Sequence, residues 1–594
     1  MLPFLNEVQN ASKKYTVMFR GINYGEGSQD GEFAETHNLS TDQYPCITQR
    51  AERVRVSDKV YTNPSTLHAK GQLLVIDGTD VFYGDNKVGE VTEGKKQTAT
   101  VGNYIVIFPD KKYYKVPTED DQDGEFGDME ETFKCKGLTF TASTISYETE
   151  FKVSSSLTFS GNTIKVRRAD AEIKFPFNAG EVITISGVTT VDSTTEFTIT
   201  EATDTVLTIK DASFKEINTT GTTTITRKAK EFPFKKGDAV TITGCEKTEN
   251  NRNETEEIII RGVEGGVMTF DSSSFTETTE HGEITITRTV PELDFICESN
   301  YRLWGTKGNT IYSSKFSDPL NFKSFEGLSG DSYYIDVGSE GDFTGCIPYS
   351  SHICFFKENT LHKLYGTKPA NFQVTESRVY GVQSGSERSM QIVNEQLLYK
   401  GVGGVYAYTG GVPELISSNF GNKRYSDAVA CCDGEKYYIS MKSGDKWDML
   451  VYDVLKNIWL REDDTHAVDM TFHDGKVHFL TEEGLYYIDK EADRSGIEWG
   501  ATFCTMHETM NERKGYSKFH LRMDMSAGAW LAVDIKTDND TQWRQIYTTH
   551  NEKAKTVSIP IIPTRCDSID IRLRGKGKCT VKTFIREFTT GSDV

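Results

Sequence analysis

The apolar residues of the chain occur in runs of four to six rather than at helical spacing. These runs are rich in Val, Ile, Tyr, Phe and Thr, and Gly, Asn and Asp stand between them. β-Branched and aromatic residues favour strands, whereas Gly, Asn and Asp favour the turns that join strands. The pattern therefore predicts an all-β protein with almost no helix.

One pattern recurs along the chain: an apolar strand, a corner at Gly, Asn or Asp, and a second strand rich in Tyr. From Glu395 to Glu435 to Lys476 the steps are 40 and 41 residues, and a four-stranded propeller blade needs about 40–45 residues. We therefore predict a β-propeller of about six to eight blades. The alternative, a series of β-sandwiches, would lack the regular step. The seven segments are 72–84, 103–116, 301–314, 352–366, 395–411, 435–453 and 475–489.

One short stretch, ESNYRLWGTKGNTIYSSKFSDPLNF (298–322), is unusually aromatic and contains no recognisable catalytic residue. A single blade cannot bury both of its faces, so neighbouring blades must stack with large side chains between them. We expect these aromatics to pack between blades. They are Tyr301, Trp304, Tyr312, Phe316 and Phe322.

A Thr- and Glu-rich segment, residues 119–290, interrupts the hairpin pattern and contains a duplication. FPFNAGEVITISG (175–187) matches FPFKKGDAVTITG (232–244) at an offset of 57, TGTTTITR (220–227) matches EHGEITITR (280–288), and 161–168 is a candidate third copy of that strand. A strand that enters a tight turn at Gly and leaves as another strand is typical of small β-domains. We predict two tandem small β-barrel or sandwich domains, inserted between the second and third blades.

The last hundred residues alternate strands with turn clusters such as SAG, TDND and RGKGK, which predicts a C-terminal β-sandwich. The predicted organisation is an N-terminal arm with the first propeller strands (1–66), the first part of the propeller (67–118), the inserted domains (119–290), the second part of the propeller (291–494) and the sandwich (495–594).

Charge and composition narrow the functional classes. The net charge of −20 and the lack of any run of Lys and Arg disfavour specific recognition of nucleic acid or an anionic membrane. No run of 18 apolar residues is present, and we expect no secretory signal in MLPFLNEVQNASKKY, which lacks a basic segment followed by an apolar one. The eleven cysteines are odd in number and form no CxxC, which predicts buried reduced thiols and no zinc.

The acidic stretch TEDDQDGEFGDMEE is the best metal candidate in the sequence. Glu119, Asp121, Asp123, Gly124 and Glu130 fall at positions 1, 3, 5, 6 and 12 of a calcium-loop frame. The frame requires flanking helices, which the neighbouring strand-like segments do not provide. We favour an acidic linker, with calcium binding as the alternative.

Other candidate sites are weaker. His473 and His478 lie five residues apart on a hairpin and are expected to point to opposite faces. Cys504 and His507 lack a second ligand pair. Hydrolase, P-loop and HExxH signatures are absent, although a carboxylate pair for glycoside cleavage stays open. We therefore predict no catalytic, cofactor-binding or metal-binding residue, and no enzymatic activity.

Three stretches together carry a resemblance to a known family. The chain resembles the tail nozzle (tail tubular) proteins of short-tailed phages and related prophage tail proteins of Gram-positive bacteria, over the propeller and sandwich, about two-thirds of its length. The residues that carry it are Asn38-Leu39, Tyr44-Pro45 and Arg50 near the start; Trp304-Gly305-Thr306, Ile311-Tyr312 and 317–322 (SDPLNF) in the middle; and Gly575, Gly577 and Gly591-Ser592-Asp593 at the end.

The resemblance implies a structural virion protein, made in the cytoplasm of a bacterial host. It implies a hexameric ring that forms part of a DNA ejection conduit and contacts neighbouring tail or head–tail connector proteins, with tail fibres as a further candidate partner. An acidic lumen would let DNA pass without binding, because like charges repel. The alternative is a tail protein that binds or depolymerises host-surface carbohydrate, and a third class is a non-viral adhesion module with calcium.

Overall fold

The computed structural model describes residues 11–25, 27–154, 156–167, 173–508, 512–538, 540–553, 555–562 and 565–591. These residues form 56 strands and four 3-10 helices, and no α-helix is among them. In this described part, no helix has the length and hydrophobicity needed to span a bilayer. Ser592 and Asp593, which carry part of the resemblance, lie outside the described residues. The chain is all-β, as predicted.

Strands before and within the first part of the propeller are short. They are β1 (Ser12–Thr16), β2 (Gly21–Ile22), β3 (Glu32–His37), β4 (Leu39–Ser40), β5 (Thr48–Gln49), β6 (Glu52–Arg55), β7 (Pro64–Lys70), β8 (Gln72–Asp77), β9 (Asp80–Tyr83), β10 (Asn86–Glu90), β11 (Gln97–Val101), β12 (Tyr104–Phe108), β13 (Lys112–Lys115) and β14 (Glu125–Asp128).

Fifteen strands make up the inserted segment. They are β15 (Glu131–Phe140), β16 (Thr144–Tyr147), β17 (Glu150–Ser154), β18 (Leu157–Gly161), β19 (Thr163–Val166), β20 (Val182–Ser186), β21 (Phe197–Ala202), β22 (Val206–Ile209), β23 (Phe214–Asn218), β24 (Thr222–Arg227), β25 (Ala239–Thr243), β26 (Ile258–Ile259), β27 (Gly262–Glu264), β28 (Val267–Thr269) and β29 (Thr278–Arg288).

The second part of the propeller contains β30 (Phe295–Ser299), β31 (Arg302–Lys307), β32 (Thr310–Ser313), β33 (Tyr333–Asp336), β34 (Gly345–Tyr349), β35 (His352–Phe356), β36 (Thr360–Tyr365), β37 (Gln373–Arg378), β38 (Gln391–Val393), β39 (Gln396–Gly401), β40 (Gly404–Tyr408), β41 (Glu414–Leu415), β42 (Ser426–Cys432), β43 (Lys436–Ser443), β44 (Lys446–Asp453), β45 (Ile458–Asp463), β46 (Asp469–His473), β47 (Lys476–Thr481) and β48 (Gly484–Asp489).

The tail contains β49 (Glu498–Phe503), β50 (Lys514–Met525), β51 (Trp530–Thr537), β52 (Arg544–Thr549), β53 (Thr556–Pro560), β54 (Arg565–Cys566), β55 (Ile569–Lys576) and β56 (Cys579–Thr590). The 3-10 helices are Thr248–Asn250, Pro369–Asn371, Glu387–Ser389 and Ser418–Phe420.

Seven four-stranded antiparallel sheets form the blades of a β-propeller, within the predicted range of six to eight. Blades 1 to 6 are β7–β10, β11–β14, β30–β33, β34–β37, β38–β41 and β42–β45, and blade 7 joins β46–β48 to the N-terminal strand β6. The inner strands β46 and β7 are in contact, so blade 7 meets blade 1 and the circle closes. Because blade 7 takes strands from both ends of the propeller segment, closure ties its beginning to its end.

Each of the seven gaps between blades holds its own apolar cluster. The second strand of a blade contributes to two gaps, since alternate side chains of a strand point to opposite faces. In β12, Ile105 and Ile107 pack toward blade 1, whereas Val106 and Phe108 pack toward blade 3. Both faces are therefore buried, which explains why these strands read as unbroken apolar runs.

The aromatic stretch 298–322 is only partly buried between blades. Trp304 lies 5.1 Å from Phe372 by ring centroids in the gap between blades 3 and 4, and Phe322 fills the gap between blades 2 and 3. Tyr301 and Phe316 instead face solvent, with exposures of 64% and 49%. Tyr301 sits in the left-handed turn between β30 and β31, and this turn directs its ring away from the gaps.

The inserted segment forms two β-domains, one enclosed by the other in chain order. The outer domain combines β15 and β16 with β25–β29, and the inner domain comprises β17–β24 between them. The strands β20 and β25 match in sequence, yet β25 pairs with β29, and β29 pairs with β15 from before the inner domain. The two predicted domains are present, but they are nested in chain order rather than in tandem as predicted. An offset of 57 residues between the copies fits both orders, because it does not show which strands pair.

The C-terminal sandwich also includes the N-terminal strands. β1 pairs with β56 in one sheet, and β2 and β3 join β49, β55, β51 and β52 in the other. The predicted N-terminal unit 1–66 therefore contributes β1, β2 and β3 to the sandwich, and β6 and the first residues of β7 to blades. The sandwich packs on β45, the outer strand of blade 6, whose Ile458 and Leu460 belong to its core.

Candidate functional site: a closed axis and an exposed apolar rim

The acidic stretch lies in the hairpin between the two outer strands of blade 2. Asp121 pairs with Lys115 at 2.7 Å at one end of this hairpin, and Glu130 pairs with Lys111 at 2.8 Å at the other end. The frame positions that would have to converge on calcium are thus separated by the length of β13 and β14. Over the described part of the chain, no group of three or more metal-ligating side chains converges.

The prediction that His473 and His478 face opposite sides is wrong, because their ring centroids are 5.8 Å apart. The hairpin reverses between them and places Thr471 opposite His478, so the two histidines are diagonal neighbours on one face. Cys504 and His507 do not come together as a ligand pair. The Cys504 thiol donates to the Asn23 carbonyl oxygen at 3.5 Å.

All eleven cysteines are free thiols, and nine of them are buried. Burial raises the pKa of Cys354 and of Cys579 to about 12. A thiol needs its thiolate form to act as a nucleophile or a metal ligand. These cysteines therefore act as small core residues.

The propeller axis is crossed by the connection between blades 4 and 5. From this connection Arg388 donates to the carbonyl oxygens of Ser65 at 2.9 Å and Lys96 at 2.5 Å, and pairs with Asp469 at 3.0 Å. Ser65 belongs to blade 1, Lys96 to the segment that enters blade 2, and Asp469 to blade 7. All three lie across the ring from the connection that carries Arg388. Together with the Glu387–Lys95 pair at 2.6 Å, they form a polar cluster that we name the axial clasp (Lys95, Glu387, Arg388 and Asp469).

The pKa values of the two carboxyl groups in the axial clasp are shifted in opposite directions. Burial raises the pKa of Asp469, although Arg388 acts in the opposite direction. Burial opposes ionisation of Glu387 as well, but Lys95 lowers its pKa below the ordinary value. His68 on the inner strand of blade 1 lies between Thr98 and Thr100, and burial lowers its pKa to about 4. This histidine is therefore neutral at physiological pH.

A cavity of about 320 Å³ remains beside the clasp, lined by the inner strands of blades 2, 3 and 4. Glycoside cleavage needs two carboxyl groups about 5–10 Å apart with space for a sugar between them. Glu387 and Asp469 are each bound to a cation of the clasp. The clasp is therefore arranged to hold blades together across the axis.

The inner inserted domain is docked on the outer one by Arg227, which is almost fully buried. Its guanidinium pairs with Glu181 of its own domain at 2.8 Å. It also donates to the carbonyl oxygens of Lys136 and Gly137, in the outer domain, at 3.0 and 3.2 Å. Arg227 thus links the two domains, together with the Lys136–Asp204 pair at 3.1 Å and the Lys174–Glu246 pair at 2.7 Å.

An equivalent pair of an Arg and an acidic residue lies where the outer domain contacts the propeller. Arg288 pairs with Asp238 at 3.2 Å, and Asp238 accepts from the Asn321 amide of blade 3 at 2.9 Å. Asp238 follows Gly237 in the second copy of the duplication just as Glu181 follows Gly180 in the first, so the two pairs are equivalent. The duplicated sequence could have indicated these two ion pairs. Each copy has an acidic residue directly after the Gly of its turn, and each of the matching ITR strands ends in Arg.

Exposed apolar side chains collect at one end of the blades. The first and third turns of a blade lie at the same end because its strands are antiparallel. At this end, blade 3 exposes four large side chains to between 49% and 64%, blade 5 exposes Val412 to 83% and blade 6 exposes Leu455 to 67%. We name this set the apolar rim: Tyr301, Phe316, Leu328, Tyr334, Val412 and Leu455.

No family model matches the chain, and no curated protein matches it. Among solved structures, BamB from Moraxella catarrhalis is similar with a TM-score of 0.30 and 9% identity, over 75% of this chain and 98% of that one. Hsv2 from Kluyvelomyces marxianus has a TM-score of 0.23 and 10% identity, over 53% and 99%. An exo-β-1,3-galactanase from Phanerochaete chrysosporium has a TM-score of 0.20 and 9% identity, over 48% and 92%. At such TM-scores these likenesses carry no argument about function.

Proposed function

We propose that the chain is a structural virion protein of a phage tail, which assembles through its apolar rim into a six-fold ring around a DNA ejection path. The observation that carries this proposal is the rim itself. Exposed apolar groups that cluster on a protein surface mark interaction surfaces, and aromatic side chains supply much of the energy of such interfaces. On blade 3 the rings of Tyr301 and Phe316 cluster in this way, with centroids 6.0 Å apart.

The distribution of the rim supports a head-to-tail contact. Its larger part lies on blade 3, and its smaller part lies two and three blades further round the circle. A ring requires two different surfaces on each copy, so that each surface meets its counterpart on the next copy. The part on blade 3 would contact the part on blades 5 and 6 of a neighbouring copy.

The axial clasp supports a path between copies rather than through one propeller. Arg388 joins opposite sides of the disc across the axis, so each propeller forms a wall element. With a net charge of −20, a lumen bounded by such walls would repel the DNA backbone and let it slide. The proposal includes neighbouring tail or head–tail connector proteins as partners and assigns no residue to catalysis.

The carbohydrate-cleaving alternative is less well supported. The two axial carboxylates would have to leave Lys95 and Arg388 before either could act as an acid or a base. Release of reducing ends from wall or capsule polysaccharide by the purified protein, abolished when a single carboxylate is replaced, would favour this alternative over the ring.

We expect the double variant Phe316→Asp, Leu328→Asp to weaken self-association by about tenfold or more, because two charges would have to be buried in the contact. Both side chains face solvent, so the fold is expected to be unchanged by circular dichroism. Sedimentation velocity over a concentration series measures the effect.

The matched control is Val60→Asp, since Val60 is 66% exposed but lies on the connection between blades 7 and 1, away from the rim. It is expected to assemble as the unchanged chain does. Equal association of both variants would remove the rim from the proposed interface.

A further inference from the structure

A second polar site lies between blades 5 and 6, away from the axis and the rim. The turn between β39 and β40 and the connection from β41 to β42 enclose a cavity of about 280 Å³. We name it the blade-5 cavity. The polar lining residues used here are Lys400, Lys423, Arg424 and Tyr425.

Lys400 is buried in the wall of this cavity with only 1% of its surface exposed. Its ammonium donates to the Gln383 side-chain oxygen at 2.6 Å and to the Gly401 carbonyl oxygen at 2.5 Å. Both acceptors are neutral, and an ammonium has three protons to donate. Within the described residues, no carboxylate lies within 4.0 Å of this ammonium.

Arg424 adds a second positive charge at the mouth of the cavity. Its side chain is exposed, and the one hydrogen bond that it makes to a described residue is a long one of 3.5 Å, to the Gly421 carbonyl oxygen. Burial, and then the positive charge of Arg424, lower the pKa of Lys400 to about 8. Lys400 therefore still carries most of its charge at neutral pH.

The carboxylate in this region is already fully engaged. Asp448 pairs with Lys423 and Arg461, each at 2.5 Å, and accepts from the Tyr425 hydroxyl at 2.9 Å. Lys423 is thus neutralised from within the fold, whereas Lys400 and Arg424 are not. Two uncompensated cations face one cavity in a chain whose net charge is −20.

We infer that the blade-5 cavity binds a small phosphate-type oxyanion, either inorganic phosphate or the phosphoryl group of a small phosphomonoester. The anion would accept a hydrogen bond from the remaining N–H of the Lys400 ammonium and from guanidinium N–H groups of Arg424. Charge-assisted hydrogen bonds of this kind are stronger than neutral ones. The volume of the blade-5 cavity, about 280 Å³, lies at the lower end of ligand sites, which range from about 300 to 1,000 Å³. A small anion fits this space. This site does not depend on the proposed ring.

Isothermal titration of the full-length chain with inorganic phosphate, at ionic strength matched with sodium chloride, tests the site. The unchanged chain is expected to bind phosphate. The affinity is expected to be about tenfold or more lower in Lys400→Met and also lower in Arg424→Gln. The control Lys446→Met removes an exposed lysine of the neighbouring blade and is expected to bind normally. Lys400→Met is expected to melt at the same temperature or higher in phosphate-free buffer, because it removes a buried uncompensated charge.

Affinity for sulfate, whose charge is constant over this range, is expected to fall between about pH 7 and about pH 9.5 as Lys400 loses its proton. The acidic groups that face the cavity, the Asp448 carboxyl and the Tyr425 hydroxyl, do not titrate in this range. Lys423 and Arg461 lower the pKa of Asp448 against its burial, and burial together with Asp448 raises the pKa of Tyr425. Glycerol phosphate serves as the phosphomonoester probe, and its binding or exclusion decides between the two sources. Absence of binding above the chloride control, or binding retained in Lys400→Met, would overturn the site.

Discussion

Replacing Arg388 by Met is expected to lower the free energy of unfolding of the propeller by about 3–5 kcal/mol, the cost of breaking a buried ion pair from one side. The substitution leaves Asp469 buried at 7% exposure without its cation, and it removes the donors to Ser65 and Lys96. Because the chain has several domains, hydrogen exchange is the suitable measurement, since it assigns the loss to particular strands. Faster exchange is expected in β7, β38 and β46, with the sandwich unaffected.

The double variant Arg388→Met, Asp469→Asn is the control for this interpretation. The double variant also removes the Asp469 carboxylate, which would otherwise stay buried without Arg388. It is therefore expected to recover part of the stability that Arg388→Met alone loses. Equal loss in the two variants would mean that the carbonyl contacts of Arg388, rather than its charge, join the blades. A loss below about 1 kcal/mol in Arg388→Met would remove the clasp from the account of ring closure.

Replacing Arg586 by Met is expected to destabilise the sandwich by about 3–5 kcal/mol. Arg586 is fully buried in β56 and connects three segments, through Asp30 at 2.6 Å, the Thr16 hydroxyl at 2.7 Å and the Glu508 carboxylate. Its loss would leave Glu508, whose side chain is also buried, without its closest cation. Hydrogen exchange is expected to accelerate in β1, β50 and β56, with the blades protected as before.

Arg574→Met is the matched control on the same sandwich. Arg574 is 40% exposed, and its partner Asp534 keeps Arg572 at 2.8 Å after the substitution. The expected loss is therefore under about 1 kcal/mol. Similar effects of the two substitutions would show that Arg586 acts as an ordinary surface charge rather than as the joint between the N-terminal strand and the tail.

The propeller could be predicted because its blades repeat at a nearly constant interval along the chain. The second strands of blades 5, 6 and 7 begin at Gln396, Lys436 and Lys476, which are evenly spaced along the chain. Burial on both faces turns each of them into an unbroken apolar run, such as YIVIF in β12. The duplication likewise marked two similar β-domains, because the same strand and turn residues recur in both.

Features that depend on pairing between distant segments were not predictable. Nothing in the local sequence around Arg388 indicates that its side chain crosses the axis. Strand β1 could not be assigned to the sandwich, because its partner β56 lies at the opposite end of the chain. Spacing along the chain also misled the interpretation of His473 and His478, since the hairpin turn rather than the count of residues decides which face they share.

The candidate sites also combine features that the local sequence predicts with features that depend on the assembled fold. The sequence located the aromatic stretch 298–322, but the burial of Trp304 and the exposure of Tyr301 and Phe316 depend on turn geometry. Lys400 lies in a strand that reads as an ordinary blade strand. Its lack of a nearby carboxylate is a property of the assembled blades and has no signature in the sequence.

Electron microscopy of the purified full-length chain tests the central proposal, assembly into a ring, most directly. The account predicts six-fold rings with an open centre, each with six times the mass of the 66.7 kDa chain. It also predicts that Phe316→Asp, Leu328→Asp abolishes these rings and that Val60→Asp does not. Single propellers at every concentration, with no closed ring in any class average, would contradict it.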